Sequence, residues 1–293
     1  MDKLQFGFNR MGGALTKKEI APYLLETADI FGGKSREYIV EKAFGKHLLE
    51  LEWILHNCGD NCRVLDIGGG LGINLITLKK INKNLDVYLI DKLEEYEGTN
   101  GLENPIGSID VGLKILKDHE VNLIKEDFWE AKELPFDSGF FDVVTCFDVI
   151  EHFPQNPLPL LRAMKRILKD SGTLIMCAPN LLSTARRGRL MLGIHPYIPF
   201  DLWMAEQYDK YYGHYREYTR KEYRMLLERS GYSDIKTFMI SEPTRTKAFN
   251  RYHHKKYKKF SLPSMGLWLM YLIEIIFPGL RTEVYCTARR FDN

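Results

Sequence analysis

Three groups of residues in this sequence have the types and spacing to do chemistry. The first is Asp66 with Gly68, Gly70 and Gly72, in the run Val64-Leu65-Asp66-Ile67-Gly68-Gly69-Gly70-Leu71-Gly72. A short apolar stretch ends in an acid, then a turn of nearly pure glycine, then a helical pattern from Ile73 to Lys80. Glycines there allow backbone angles that a Cβ forbids and let a ligand lie on the main chain at a helix N-terminus. The second is Asp91, closing the run Asp86-Val87-Tyr88-Leu89-Ile90, where an acid at a strand end can accept both hydroxyl hydrogens of a ribose. The third is a set of proton-handling side chains: Asp148, Glu151 and His152 in one run, and His214 further on. An unperturbed imidazole titrates near neutral pH, so either histidine can take a proton from an acceptor.

Glycine spacing separates two ligand classes. A dinucleotide fingerprint, G-x-G-x-x-G from Gly68, needs a third glycine at position 73, where Ile73 stands. The chain has G-x-G-x-G instead, two residues after Asp66. This D-x-G-x-G-x-G pattern resembles the first motif of class I S-adenosylmethionine-dependent methyltransferases. The later run Phe141-Asp142-Val143-Val144-Thr145-Cys146-Phe147-Asp148-Val149-Ile150-Glu151-His152 resembles the fourth motif of the ubiquinone-biosynthesis-type and small-molecule branch. Gly172 to Asn180 and the string His214-Tyr215-Arg216-Glu217-Tyr218-Thr219 follow in the order typical of that branch.

The resemblance implies a fold and a cofactor. The fold is α/β, a doubly wound, seven-stranded, mostly parallel Rossmann-like sheet with N-terminal helices and a C-terminal helical insert. The cofactor is S-adenosyl-L-methionine, held by Asp66, Gly68, Gly70, Gly72 and Asp91. By the same resemblance Asp127 meets the adenine amino group and Phe128 its ring. Asp148, with Phe147 before it, faces the methionine part of the cofactor, or Asp148 simply caps the following helix.

Methyl transfer from a sulfonium is an in-line displacement, so holding the acceptor lone pair behind the methyl group does much of the work. A hydroxyl or protonated amine acceptor also loses a proton at some stage. His214 is the expected proton acceptor, because it opens an otherwise aromatic stretch, and His152 is expected to fix the turn after the fourth strand. If residues 181–218 fold over the cleft, Tyr211, Tyr212 and Arg216 shape the acceptor pocket. Asn180 either faces the acceptor or closes a turn after Pro179. No metal is expected at this site.

Other chemistries are disfavoured by single residues. Nucleic-base amino methyltransferases carry an N-P-P-Y or D-P-P-Y tetrad where this chain has Phe147-Asp148-Val149-Ile150. Spermidine synthases carry an acid where Leu71 stands. A radical-type iron–sulfur motif on Cys58 and Cys62 would need a cysteine at Leu65, and a zinc site on His56, Cys58 and Cys62 lacks an obvious fourth ligand.

The elements that must position these groups read off the pattern. Helices are expected from Lys17 to Ile30 and from a Ser35 cap to Asn57, covering the cofactor cleft, packing on the sheet, or both. Further helices follow the glycine loop, end at His119, run from Leu158 to Leu168, and run from a Thr219 cap to a stop at Gly231. Seven strands are expected, the last two at Asp234–Ile240 and Glu283–Arg289. The chain divides into a helical cover (1–58), a methyltransferase core (59–242) with an acceptor lid at 181–218, an insert (243–280), and a last strand with tail (281–293).

Forty-one Lys and Arg against thirty-nine Asp and Glu give a net charge of +2, too small to imply a nucleic-acid or membrane partner without local clustering. Five scattered cysteines favour free thiols in a reducing compartment, and no signal peptide is expected. Local clustering does occur: Arg251 to Lys259 is basic and aromatic, and Met265 to Phe277 is apolar and contains Trp268. That run is shorter than the ~20 apolar residues a bilayer crossing takes. Segment 251–277 is therefore expected to contact an anionic membrane surface from the cytoplasmic side, or else to serve as a lid or homodimer contact. The expected acceptor is a glycan, lipid-linked sugar or similar metabolite, with a soluble small molecule as the alternative. Nucleic acid ranks third, and a non-catalytic cofactor-binding module comes last.

Overall fold

The computed structural model describes residues 15–93, 109–129, 133–196, 214–241, 269–270 and 272–291. Tyr211, Tyr212, the segment 94–108 and the basic run 251–259 lie outside the described residues.

Seven strands form one sheet in the order β3-β2-β1-β4-β5-β7-β6. They are β1 (Arg63–Ile67), β2 (Asp86–Asp91), β3 (Asn122–Lys125), β4 (Phe141–Phe147), β5 (Leu168–Pro179), β6 (Ser233–Ile240) and β7 (Glu283–Arg289). All pairings are parallel except those of β7, which runs antiparallel between β5 and β6. The mostly parallel, seven-stranded expectation is met. Central parallel strands are covered on both faces, which is why Val64, Leu65 and Ile67 in β1 are all buried.

Two apolar clusters flank the sheet. One packs α6 (Leu158–Ile167) and α8 (Arg220–Arg229) against one face, through Leu161, Met164, Tyr223 and Leu227. The other packs α1 (Lys17–Phe31), α3 (Phe44–Asn57), α4 (Ile73–Ile81) and α5 (Ile109–Asp118) against the opposite face, through Leu24, Leu51, Leu75 and Leu116. The helix after β5, α7 (Thr184–Met191), has no buried residue.

The ends of α8 match the sequence-based expectation. The Thr219 hydroxyl accepts from Glu222 N at 3.2 Å, while the Glu222 carboxylate accepts from Thr219 N at 2.8 Å. Gly231 ends the helix with φ +82°. The second N-terminal helix differs from its expected start. It begins as α2 (Gly33–Tyr38) after Gly32, two residues before Ser35, and Ser35 is buried rather than capping. The chain then passes through a π-helical turn, Ile39–Ala43, straight into α3. Such a turn inserts one residue and rotates the helix beyond it. Lys46 and His47, early in α3, face the sheet's carboxyl edge.

Candidate active site

The strand order reverses between β1 and β4, and in open α/β sheets ligands bind outside the carboxyl ends of the strands at such a point. A cavity of 350 Å³ opens there, lined by Lys46, His47, Glu50, Asp66, Gly68, Gly69, Gly70, Asn74, Phe147 and Asp148 among others. A larger one, 710 Å³, lies at the opposite edge, around Cys58, Asp142 and Lys169, where strands begin. Position in the fold, not size, makes the first the candidate cofactor cleft.

The glycine loop is built as its spacing demands. Gly68, Gly70 and Gly72 all have φ between +54° and +71°. A Cβ on Gly68 would stand 2.6 Å from Val149 Cγ2, and one on Gly69 would stand 2.2 Å from Asp66 Oδ2. The loop therefore lies directly on the Asp66 carboxylate and on the turn after β4. Asp66 accepts the Thr145 hydroxyl at 2.6 Å and is buried. Burial, with Glu50 and Asp91 nearby, pushes its carboxyl up to about 7 against the Thr145 bond and His47. Asp91 accepts from Gly70 N at 2.8 Å and Leu93 N at 2.7 Å, which fixes its carboxylate beside the loop. Burial raises its carboxyl, and those two bonds oppose it.

Asp148 lies in the same cleft, at φ +52°, an uncommon backbone for a residue with a side chain. It pairs with Lys46 from α3. Burial alone would lower the Lys46 ammonium, but Asp148, Glu283 and Glu50 together hold it well above the usual lysine range. Glu50 in turn accepts from Asn74 Nδ2 at 2.9 Å, and the Asn74 carbonyl oxygen meets His47 Nδ1 at 2.9 Å. Lys46, His47, Glu50 and Asn74 were not singled out from sequence. The signal was there: ionisable residues on a helix whose neighbours Leu48, Leu49 and Leu51 are core.

Asp127 and Phe128 part company. Phe128 is buried, its ring 3.4 Å from the Cβ position of Gly68. Asp127 stays half-exposed, accepts from Trp129 N at 3.0 Å and pairs with Lys92 at 3.0 Å. Neither residue lines the cavity.

A second constellation lies beyond β4. The His152 and His214 rings meet edge to face, 4.8 Å between centroids. His214 Nδ1 is 2.7 Å from Glu217 Oε1. Arg186 of α7 clamps that carboxylate from the other side, with Nε 2.9 Å from Oε2 and Nη2 on Oε1. Burial would raise the Glu217 carboxyl, yet the bonds from His214 and Arg186 hold it below the usual range. It is therefore an anion, and an acceptor for a hydrogen on His214 Nδ1. The backbone is pinned as well, since Glu151 O accepts from Tyr215 N at 2.8 Å and Arg216 N at 3.2 Å. Glu217 stands three residues after His214 in the same motif string, so its partnership was legible; Arg186 was not.

Glu151 is fully buried and neither carboxylate oxygen has a hydrogen-bond partner. Burial, then Asp148, push its carboxyl well up, with Lys46 opposing. Glu151, His152 and His214 offer ligand atoms within 4.8 Å of one another, a donor set the sequence did not foretell.

Two expected acceptor residues face elsewhere. Asn180 is buried, donating to Gly279 O at 3.1 Å and Arg281 O at 2.8 Å and accepting from Leu182 N at 3.0 Å. Its amide ties β5 to the chain before β7, the turn-closing alternative. Arg216 is exposed, pairs with Glu222 at 2.8 Å and stacks over Tyr218.

A glycine-cradled cleft at the switch point with buried acids at its floor is the arrangement a methyltransferase needs for its cofactor; His152 and His214 do not line that cavity. The comparisons agree: residues 25–237 match the family described as methyltransferase domain, and the chain belongs to it. It is a class I S-adenosylmethionine-dependent methyltransferase. Among curated proteins it is similar to the ubiquinone biosynthesis O-methyltransferase of Xanthomonas campestris, 34% identical over 118 residues, covering 40% of this chain and 43% of that one. A Pseudomonas aeruginosa counterpart is 29% identical over 133 residues, covering 45% and 51%. The chain thus spans about half or less of the curated relatives it matches. In fold it resembles Haemonchus contortus phosphoethanolamine N-methyltransferase 2 bound to S-adenosyl-L-methionine, with TM-score 0.55, 17% identity, and 94% and 58% coverage. It also resembles an Archaeoglobus fulgidus SAM-dependent methyltransferase, with TM-score 0.50, 18% identity, and 92% and 99% coverage.

Proposed function

We propose that this enzyme methylates a hydroxyl of an amphiphilic acceptor, a glycan, lipid-linked sugar or similar metabolite, at an anionic membrane surface. One observation carries the oxygen assignment: His214, oriented by the anionic Glu217, is a base of the kind a hydroxyl acceptor needs. The O-methyltransferase relatives support it. S-adenosylmethionine lies on the glycine loop, with its ribose toward Asp91 and its ammonium toward Asp66. Lys46 neutralises Asp148 across the same cleft. His214 Nε2 takes the acceptor proton as the oxygen attacks the methyl group from behind.

The membrane part of the proposal rests on exposed apolar side chains in two places. Leu190, Met191 and Leu192 end α7, with Met191 88% exposed, and Ile276 and Phe277 precede β7, with Ile276 66% exposed. Thr184 Oγ1 donates to Leu280 O at 3.2 Å, which ties the start of α7 to the chain just after Phe277. Arg187 of α7 and the basic run 251–259 would face lipid phosphates, as in interfacial anchors. Among the described residues no helix is long and apolar enough to cross a membrane. The alternative is a soluble small-molecule acceptor, with 243–280 serving as lid or dimer contact.

The test of the base is His214→Ala beside His152→Ala, once label incorporation from extracts has supplied an acceptor. His214→Ala should lose ~100-fold or more in turnover, the usual range for a lost base, with cofactor affinity intact. Normal turnover in His214→Ala with loss in His152→Ala reverses the two roles. A second proposal draws on the Glu151, His152 and His214 donor set. A divalent cation held there would polarise the acceptor oxygen. Loss of turnover on chelation, restored by added cation and with cofactor affinity unchanged, would select it.

A further inference from the structure

The chain's cysteines are all free, yet two of them touch. Cys62 Sγ lies 2.9 Å from Cys58 Sγ, whereas Cys146, Cys177 and Cys286 are buried within β4, β5 and β7. Cys58 is the residue on which α3 ends, in an extended conformation, and Cys62 directly precedes β1. Only Gly59, Asp60 and Asn61 separate them. The Cys62 end and the middle of this turn are fastened. Cys62 O accepts from Asp86 N at 3.0 Å, Arg63 N donates to Asp142 Oδ2 at 2.9 Å, and Asp60 O accepts from Asn82 Nδ2 at 3.0 Å. A gap of 2.9 Å needs to close by less than ~1 Å to reach a disulfide bond of about 2.05 Å.

The pair is reachable. Cys58 is half-buried and lines the 710 Å³ cavity at the strand-start edge of the sheet, with His56, Asn57, Gly59 and Asp60 beside it. Cys62 is buried behind it. That arrangement gives an outer thiol for an incoming reagent and an inner thiol to resolve the product.

We propose that Cys58 and Cys62 form a thiol–disulfide exchange site, separate from the methyl-transfer cleft, that takes small-molecule disulfides. The Cys58 thiolate attacks one sulfur of the disulfide RSSR, forming a mixed disulfide and expelling one thiolate RS⁻. The Cys62 thiolate then attacks the Cys58 sulfur and expels the second RS⁻. Two protein thiols are oxidised, one RSSR is reduced to two RSH, and the two thiol protons pass to the departing thiolates. Only a thiolate attacks a disulfide, so exchange should accelerate as pH rises.

The test uses the full-length folded protein in buffers of graded reduced-to-oxidised glutathione ratio, quenched in acid, alkylated and digested with trypsin. Cleavage after Lys46 and Arg63 puts both cysteines on one peptide, residues 47–63. Expected is loss of two hydrogens from that peptide, reversed by dithiothreitol, with Cys146, Cys177 and Cys286 still alkylated. In Cys62→Ser the reaction should stop at glutathione bound to Cys58, and Cys58→Ser should abolish it. Two glutathiones on the wild-type peptide, a peptide still reduced in fully oxidised glutathione, or simultaneous oxidation of the strand cysteines would overturn the proposal. A trivalent arsenical gives a variant-free check. Phenylarsine oxide needs two adjacent thiols and releases water on binding them. It should protect both Cys58 and Cys62 from alkylation in the wild-type protein, and failure to do so counts against the site.

Discussion

Replacing Asp66 with asparagine should make the cofactor-free enzyme more stable and a poorer binder at once. Asp66 is buried, and its carboxyl is raised from 3.8 to about 7, mainly by burial. A carboxyl raised on folding favours the native state below its unfolded value, and that advantage is lost as pH rises through the folded value. Between about pH 4 and pH 7, then, this group makes the native state progressively less stable. At about 1.36 kcal/mol per pH unit the full loss is of order 4 kcal/mol above pH 7, an upper bound because cleft water relaxes around the anion. Asparagine keeps the shape and can still accept from Thr145, but it never ionises. Asp66→Asn should therefore match wild type near pH 4 and exceed it at pH 8 by up to about 8–16 °C in melting temperature, at roughly 2–4 °C per kcal/mol.

Cofactor binding should run the other way. The sulfonium and ammonium of S-adenosylmethionine favour ionised Asp66, so binding below pH 7 expels a proton. Wild-type affinity should fall by up to about tenfold per pH unit below the cofactor-free value of about 7. In Asp66→Asn the affinity should be lower at pH 8 and nearly flat with pH. Calorimetry in two buffers of different ionisation enthalpy counts the proton directly. Equal stability of the two proteins across pH 4 to 8, or a wild-type affinity with no pH slope below 7, would refute the reasoning.

The remaining predictions address the ribose, the base and the membrane. Asp91→Ala should weaken cofactor binding by at least about tenfold. It removes charge-assisted bonds of roughly 1.5–3 kcal/mol each and also frees Gly70 N, and unchanged affinity by calorimetry would exclude Asp91 from the ribose site. Glu217→Gln can present an amide hydrogen to His214 Nδ1 and so place the ring hydrogen on Nε2. Turnover should fall about as far as in His214→Ala, while cofactor affinity holds. Anionic vesicles should retain the enzyme in co-sedimentation, and deletion of 251–277 should weaken retention. Equal retention by neutral and anionic vesicles removes the electrostatic part of the proposal.

Much of the cofactor side was legible because its signals are local. Alternating glycines, an acid two residues before and an acid closing the next strand are each set within one βα unit; Asp66, Gly68 and Gly70 line one cavity, and Asp91 accepts from Gly70 N. Lys46 was harder: its partner Asp148 is 102 residues away, and only the packing of α3 over the sheet brings them together. Asp127 and Phe128 leave β3 in different directions. Adjacent residues leaving a strand point in opposite directions, so one rests on Gly68 and the other reaches Lys92. Ser35 failed as a cap because Gly32, at φ +62°, already turns the chain into the helix.

The glycine-loop cleft and the proposed base are held by different parts of the chain, and that separation shapes how substitutions will act. Asp66, Asp91 and the glycine loop belong to β1, β2 and the turn after β1, each fixed by the sheet's own ladder. His214, Glu217 and Arg186 all come from the segment between β5 and α8. That segment meets the core through the bonds from Tyr215 and Arg216 to Glu151 O, the pairing of Asn180 with Tyr218, and the Asn180 amide. Within it the Arg186–Glu217–His214 chain is self-contained: the arginine keeps the carboxylate ionised and the carboxylate keeps the imidazole oriented. Changes in this segment should therefore alter turnover and acceptor preference while leaving cofactor affinity intact, whereas changes in the glycine loop should do the reverse. Asn180 is the exception, since its amide holds the segment's start to the chain before β7. Asn180→Ala should loosen α7 and the base together, reducing turnover and stability in one step.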